Sequence, residues 1–80
     1  MTFEQFRTLR EMEQIEVLIE KGVAIAESCY QLNTSYLYYL ASFFVVVIYE
    51  SETDELLKII PLKQREKQKT GIQHFLFHEN

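Results

Sequence analysis

From Tyr36 to Tyr49 the chain reads YLYYLASFFVVVIY, fourteen residues without a charge, in which Ser42 is the one plainly polar side chain. A stretch like this has three possible settings: a membrane, a core, or a partner. The uncharged segment extends back to Ser28, which makes twenty-two residues and enough to span a bilayer. Its first part, SCYQLNTS, is mostly polar, however, so the apolar run shrinks to a length usual for a core element. Glu27 and Glu50 flank it, where a span would carry Lys or Arg. Val45, Val46, Val47 and Ile48 are β-branched and have aromatic neighbours, a mixture that suits a strand better than a helix. No membrane span is expected.

Read as strands, the stretch folds on itself. A two-residue turn at Ala41 and Ser42 pairs Leu40 with Phe43, Tyr39 with Phe44 and Tyr38 with Val45, and side chains then alternate between faces. One face carries Tyr36, Tyr38, Leu40, Phe43, Val45, Val47 and Tyr49. The other carries Leu37, Tyr39, Phe44, Val46 and Ile48. Ala-Ser is a poor tight turn, since such turns favour glycine or asparagine at positive φ. Both faces are apolar, whereas a strand with one face in water alternates apolar with polar. One helix covers one face, so something else must cover the second. The candidates are the C-terminal IQHFLFH, a second copy of the chain, or a ligand. Tyrosine offers apolar area together with a hydroxyl that can reach water or a partner. The tyrosine-bearing face is therefore the expected interface of a homodimer, and the aliphatic face is the expected seat of the helix.

The rest of the chain supplies that helix and two more strands. Phe3 to Lys21 has helical spacing, with Met12, Ile15 and Ile19 on one face. Thr2 and Gln5 have capping-box spacing. Arg7 with Glu11, and Arg10 with Glu13, are spaced to pair across a turn. Gly22 is a natural stop in the left-handed conformation. Val23 to Gln31 reads as a strand, Asn33–Ser35 as a turn, SETDE as a second turn, and LLKIIPL at 56–62 as a strand that Pro61 confines to an edge or an end. The expected fold is α+β: an N-terminal helix on a three- to four-stranded antiparallel meander with a short C-terminal element. It forms one small domain over residues 1–80, in which 63–70 is a basic tail and 71–80 a docking segment. The expected core comprises Met12, Ile15, Ile19, Ile25, Phe44, Val46, Ile48, Leu57 and Ile59.

Charge and cysteine content narrow the function. The net charge is −4, which argues against general nucleic-acid binding. Residues 22 to 57 hold five acids and no base, and residues 58 to 80 hold five bases and two acids. Cys29 is the one cysteine, which suits a reducing, cytoplasmic setting and reads as a small buried hydrophobe rather than a nucleophile. The opening MTFEQFRTLREMEQ places charges where a signal peptide needs an apolar run.

No chemistry-bearing motif rises above its bland alternative. His74 and His78 have helical ligand spacing with Glu79 nearby, but a metal site needs further ligands. Lys63, Arg65, Lys67 and Lys69 form a basic patch that could meet a phosphate backbone or the acidic turn of another chain. Glu66 interrupts it, and a solvated edge that resists aggregation is the simpler reading. Glu52, Asp54 and Glu55 lack the spacing and glycine of a calcium loop. Two glycines, Gly22 and Gly71, do not make a phosphate cradle. No catalytic residue, metal ligand or cofactor is expected. The sequence points to a small non-enzymatic interaction module that self-associates through the tyrosine-rich face, with an unknown protein as a further possible partner. A nucleic-acid or acidic-partner binder using residues 63–69 and a carrier of a small apolar ligand are the alternatives.

Overall fold

The computed structural model describes residues 1–63. The expected C-terminal element, with His74, His78 and Glu79, lies outside the described residues, as do Arg65, Lys67 and Lys69. Helices α1 (Phe3–Arg7) and α2 (Glu11–Lys21) precede four strands, β1 (Val23–Tyr30), β2 (Asn33–Leu40), β3 (Phe43–Glu50) and β4 (Leu56–Leu62). The strands form one antiparallel sheet in the order β1-β2-β3-β4, the meander expected from short connections.

The helical region begins as its sequence implies. The Gln5 N–H donates to Thr2 Oγ1 at 3.1 Å and the Thr2 N–H donates to Gln5 Oε1 at 2.9 Å, which completes the capping box. It does not continue as one helix to Lys21. The Thr8 hydroxyl donates to the Gln5 carbonyl at 2.9 Å, and the Leu9 N–H turns back to the Phe6 carbonyl at 3.1 Å. A hydroxyl competing for a helical carbonyl and a tightened last turn both favour a break. Arg10 then adopts an extended conformation and caps α2, with its N–H donating to Glu13 Oε1 at 3.0 Å. Because of the break, Arg7 pairs with Glu4 at 2.8 Å rather than with Glu11.

The break also shifts the phase of the apolar stripe. Phe6 and Leu18 are buried, and Phe3, Leu9, Ile15 and Val17 are half-buried beside them. Met12 and Ile19, expected inside, are 74% and 78% exposed. Gln14 is buried instead, and its Nε2 donates to the Phe6 carbonyl at 3.0 Å. That bond adds a second donor, beside the Leu9 N–H, to the Phe6 carbonyl and ties α2 to the end of α1. Gly22 ends α2, but at φ −79° and ψ 154° rather than in the left-handed conformation. Its role is close approach: a Cβ there would lie 2.7 Å from the Leu18 carbonyl oxygen.

The central hairpin has the expected register. Leu40 pairs with Phe43, Tyr39 with Phe44 and Tyr38 with Val45, across a turn whose first residue, Ala41, has φ 58°. The assignment of the two faces is reversed. The helices lie on the face with Leu40, Phe43, Val45 and Val47, which form one buried cluster with Phe6 and Leu18. The reason is aromatic. Phe3 meets the Phe43 ring edge-on at 5.8 Å, and Phe6 meets it tilted at 5.7 Å, arrangements that add to plain burial. The aliphatic face, with Leu37 and Val46 buried at its centre and Phe44 and Ile48 half-buried, is on the other side of the sheet.

Two further core expectations fail for one shared reason. Ala24 pairs with Tyr38 and Ala26 with Leu37, so Ile25 is the extra residue of a bulge. Ile48 pairs with Lys58 and Tyr49 with Leu56, so Leu57 is the extra residue of another. A bulged residue leaves the alternation, and both are exposed. The first hairpin turns at Gln31 and Leu32, with Gln31 at φ 56°, so Asn33, Thr34 and Ser35 belong to β2 rather than to the turn.

Candidate functional site

The seven residues expected at an interface divide into two groups. Leu40, Phe43, Val45 and Val47 are in the intramolecular core and offer nothing to a partner. Tyr36, Tyr38 and Tyr49 are half-buried on the same face, with Tyr38 and Tyr49 packed against that core. With Thr34 and Asp54 they line an open concavity of about 330 Å³. The rings of Tyr36 and Tyr49 meet edge to face, 5.9 Å between centroids and 75° between planes. Glu27 is the cross-strand partner of Tyr36 and so shares its face. The charge of Glu27 is the main reason the Tyr36 phenol is held above its ordinary pKa, followed by burial and the neighbouring Tyr38. Burial is the main cause for Tyr49, whose phenol is also pushed up. Both phenols therefore stay neutral well into the alkaline range.

The floor of this end is held by the β3–β4 turn. Glu50 Oε1 accepts from the Glu52 N–H at 3.0 Å, the Thr53 N–H at 2.9 Å and the Thr53 hydroxyl at 3.0 Å. The bonds from Thr53 are the largest influence that keeps the Glu50 carboxyl below its usual pKa. Asp54 takes φ 60°, and the Ser51 N–H donates to the Leu32 carbonyl at 2.7 Å. Thr34 and Ser51 share a hydroxyl contact of 2.7 Å. These bonds join the first and third turns and place Asp54 at the mouth of the concavity. Glu52, Asp54 and Glu55, weighed as a possible calcium loop, are here a solvated turn.

Cys29 was expected to be buried and is exposed, with its sulfur 3.7 Å from the Thr34 hydroxyl. Its strand is at the edge of the sheet. Lys63 is the member of the expected basic patch that falls among the described residues. Its Nζ lies 3.7 Å from Glu4 and 5.3 Å from the Phe3 ring centre, so it fastens the end of β4 to α1.

A second group of exposed apolar side chains was absent from the expected site. Of the eight large apolar side chains exposed among the described residues, six fall between positions 12 and 32: Met12, Ile19, Val23, Ile25, Tyr30 and Leu32. They belong to α2, to β1 and to the turn after it. One sequence signal pointed there. VAIAESCY carries a single charge, whereas the opposite edge, LLKIIPL, is guarded by Lys58 and Pro61.

Among the described residues no three His, Cys, Asp or Glu side chains are grouped to hold a metal ion, and no helix is long and apolar enough to cross a membrane. No protein-family model matches the chain, and neither a curated protein nor a solved structure shows significant similarity to it.

Proposed function

We propose that this protein is a small non-enzymatic interaction module that self-associates in a reducing cytoplasm, with α2 and β1 as its contact side. The observation that supports this reading is the concentration of exposed apolar side chains along residues 12–32. Scattered exposed apolar residues are ordinary, but a grouping of them favours contact with another protein surface. Strand β1 adds backbone to that surface, because an edge strand presents hydrogen-bonding groups outward. Two-fold pairing is the commonest way for a small soluble protein to use such a patch. The exposed thiol of Cys29 is consistent with a compartment that keeps thiols reduced.

Size-exclusion chromatography with light scattering tests the reading. The expected mass at micromolar concentration is twice the 9.6 kDa of one chain. Ile25→Lys, on β1, should return the protein to the single-chain mass, and Leu57→Lys, on the guarded edge β4, should leave the dimer intact. A wild-type protein that runs at 9.6 kDa throughout that range overturns the proposal.

A further inference from the structure

We propose that the concavity formed by Tyr36, Tyr38 and Tyr49 binds an alkylated ammonium cation. This site centres on β2 and β3, with Glu27 of β1 at its border, and does not depend on self-association. Three features of the geometry converge on that ligand class.

The first is the arrangement of the rings. Tyr36 and Tyr38 project from β2 and Tyr49 from β3 onto one face, with Tyr38 and Tyr49 packed against the rim of the core cluster. Tyr36 and Tyr49 stand at 75° to one another, so they form walls of a cage rather than a flat stack. The face of an aromatic ring carries the negative part of its quadrupole and attracts a cation placed over it. The second feature is charge. Asp54 lines the mouth and Glu27 stands beside Tyr36 on the same face. Residues 22 to 57 contain no base, so these strands bring no cation of their own to the site. The third is size and wetness. A concavity of about 330 Å³ holds an alkylated ammonium group with room for its substituent. Such an ion gives up its water more readily than a small inorganic cation and can rest its alkyl groups on the rings. An anion would be repelled by the two carboxylates, and a neutral apolar ligand would gain nothing from them.

The negative field is also visible in the tyrosines themselves. Glu27, and more weakly Asp54, help to hold the Tyr36 phenol above its ordinary pKa. A field that disfavours a phenolate favours a cation at the same place.

The ammonium group could belong to a free small molecule or to a methylated lysine side chain of another protein, and the test separates these. Choline, its neutral carbon isostere and a peptide bearing one trimethyl-lysine are titrated into the full chain, and the tyrosine ring resonances are followed by NMR. Choline or the peptide should move the Tyr36, Tyr38 and Tyr49 signals saturably, and the isostere should bind about tenfold more weakly or worse. Tighter binding of the peptide than of choline identifies a protein side chain as the ligand, and the reverse identifies a free cation. Either result upholds the site. Tyr36→Leu should weaken choline about tenfold, Tyr36→Phe should stay within about threefold because the ring face remains, and Glu27→Gln should weaken binding and flatten its salt dependence. Circular dichroism checks that the leucine variant is folded. The proposal is overturned if neither cation gives a saturable shift, if the isostere binds as well as choline, or if Tyr36→Phe loses as much affinity as Tyr36→Leu.

Discussion

At Gly22 the missing side chain matters more than the backbone angle. Its φ of −79° is open to any residue, yet a Cβ would press on the Leu18 carbonyl at 2.7 Å and on Leu18 Cδ2 at 3.2 Å. Backbone cannot move away cheaply, and Leu18 is in the core. Gly22→Ala should therefore destabilise the protein by about 1–3 kcal/mol, measurable as a lower urea midpoint at unchanged m-value. A glycine acting as a left-handed cap would show positive φ, so the sequence suggested the right stop for the wrong reason.

Glu50 sets a second residue-scale expectation, this time in pH. Its carboxylate accepts three bonds within the β3–β4 turn, and its native pKa is lowered, chiefly by Thr53. A lowered native pKa means that the unfolded chain binds the proton more readily. The stabilisation is therefore complete above the unfolded value of about 4.3 and is lost as pH falls through the lowered native one. Glu50→Gln should be less stable than wild type at pH 7, and the gap should close in acid. Urea unfolding across the acid range checks this, and a gap that stays constant with pH would contradict it. Local devices of this kind were only partly legible. The Thr2–Gln5 box was readable because both partners are three residues apart. The Gln14 bond to Phe6 was not, because it joins residues eight apart across the break between two helices.

At the scale of elements, the hairpin and the bulges behave oppositely. The β2–β3 register was readable because an apolar alternation pivots on two small residues. The turn itself is strained: Ala41 holds φ 58°, a conformation that costs an L-residue roughly 1–2 kcal/mol. Ala41→Gly should remove that cost and lose part of the gain to a more flexible unfolded chain, for a net stabilisation of about 0.5 kcal/mol. A small rise in melting temperature reports it, and a fall would mean that the alanine methyl contributes packing. Bulges at Ile25 and Leu57 were invisible to alternation, because each inserts one residue into a pattern that still looks regular. The helix break misled in the same way. Met12, Ile15 and Ile19 form a good stripe on a continuous helix, but two short helices with a new phase bury Phe6 and Leu18 instead.

For the whole molecule, the deciding question was which sheet face the helices would cover. Periodicity placed Tyr36, Tyr38, Leu40, Phe43, Val45, Val47 and Tyr49 together, and the structure agrees. It could not rank that face against the one with Leu37, Val46 and Ile48, since both are apolar along their length. The choice came from Phe3 and Phe6, whose rings find Phe43 across the layer. The three tyrosines, with Thr34 and Asp54, line an open concavity. The proposed dimer belongs to this scale too. If it is held by the apolar side chains of α2 and β1, its mass should be nearly insensitive to added salt, because screening acts on charges and not on apolar contact.

Composition, alternation and short connections were enough to determine an α+β chain with a three- to four-stranded antiparallel meander in sequential order, the residues that share each face of the central hairpin, and the capped start of the first helix. These depend on neighbours in sequence or on a two-residue period, so they are written locally. The break in the helix, the bulges, the face that is covered and the open concavity where the tyrosines gather were decided only by the tertiary structure. Each of these arises from a competition between alternatives of similar local energy. Contacts between residues far apart, such as Phe43 with Phe3 and Phe6 and Gln14 with the Phe6 carbonyl, settle which alternative wins.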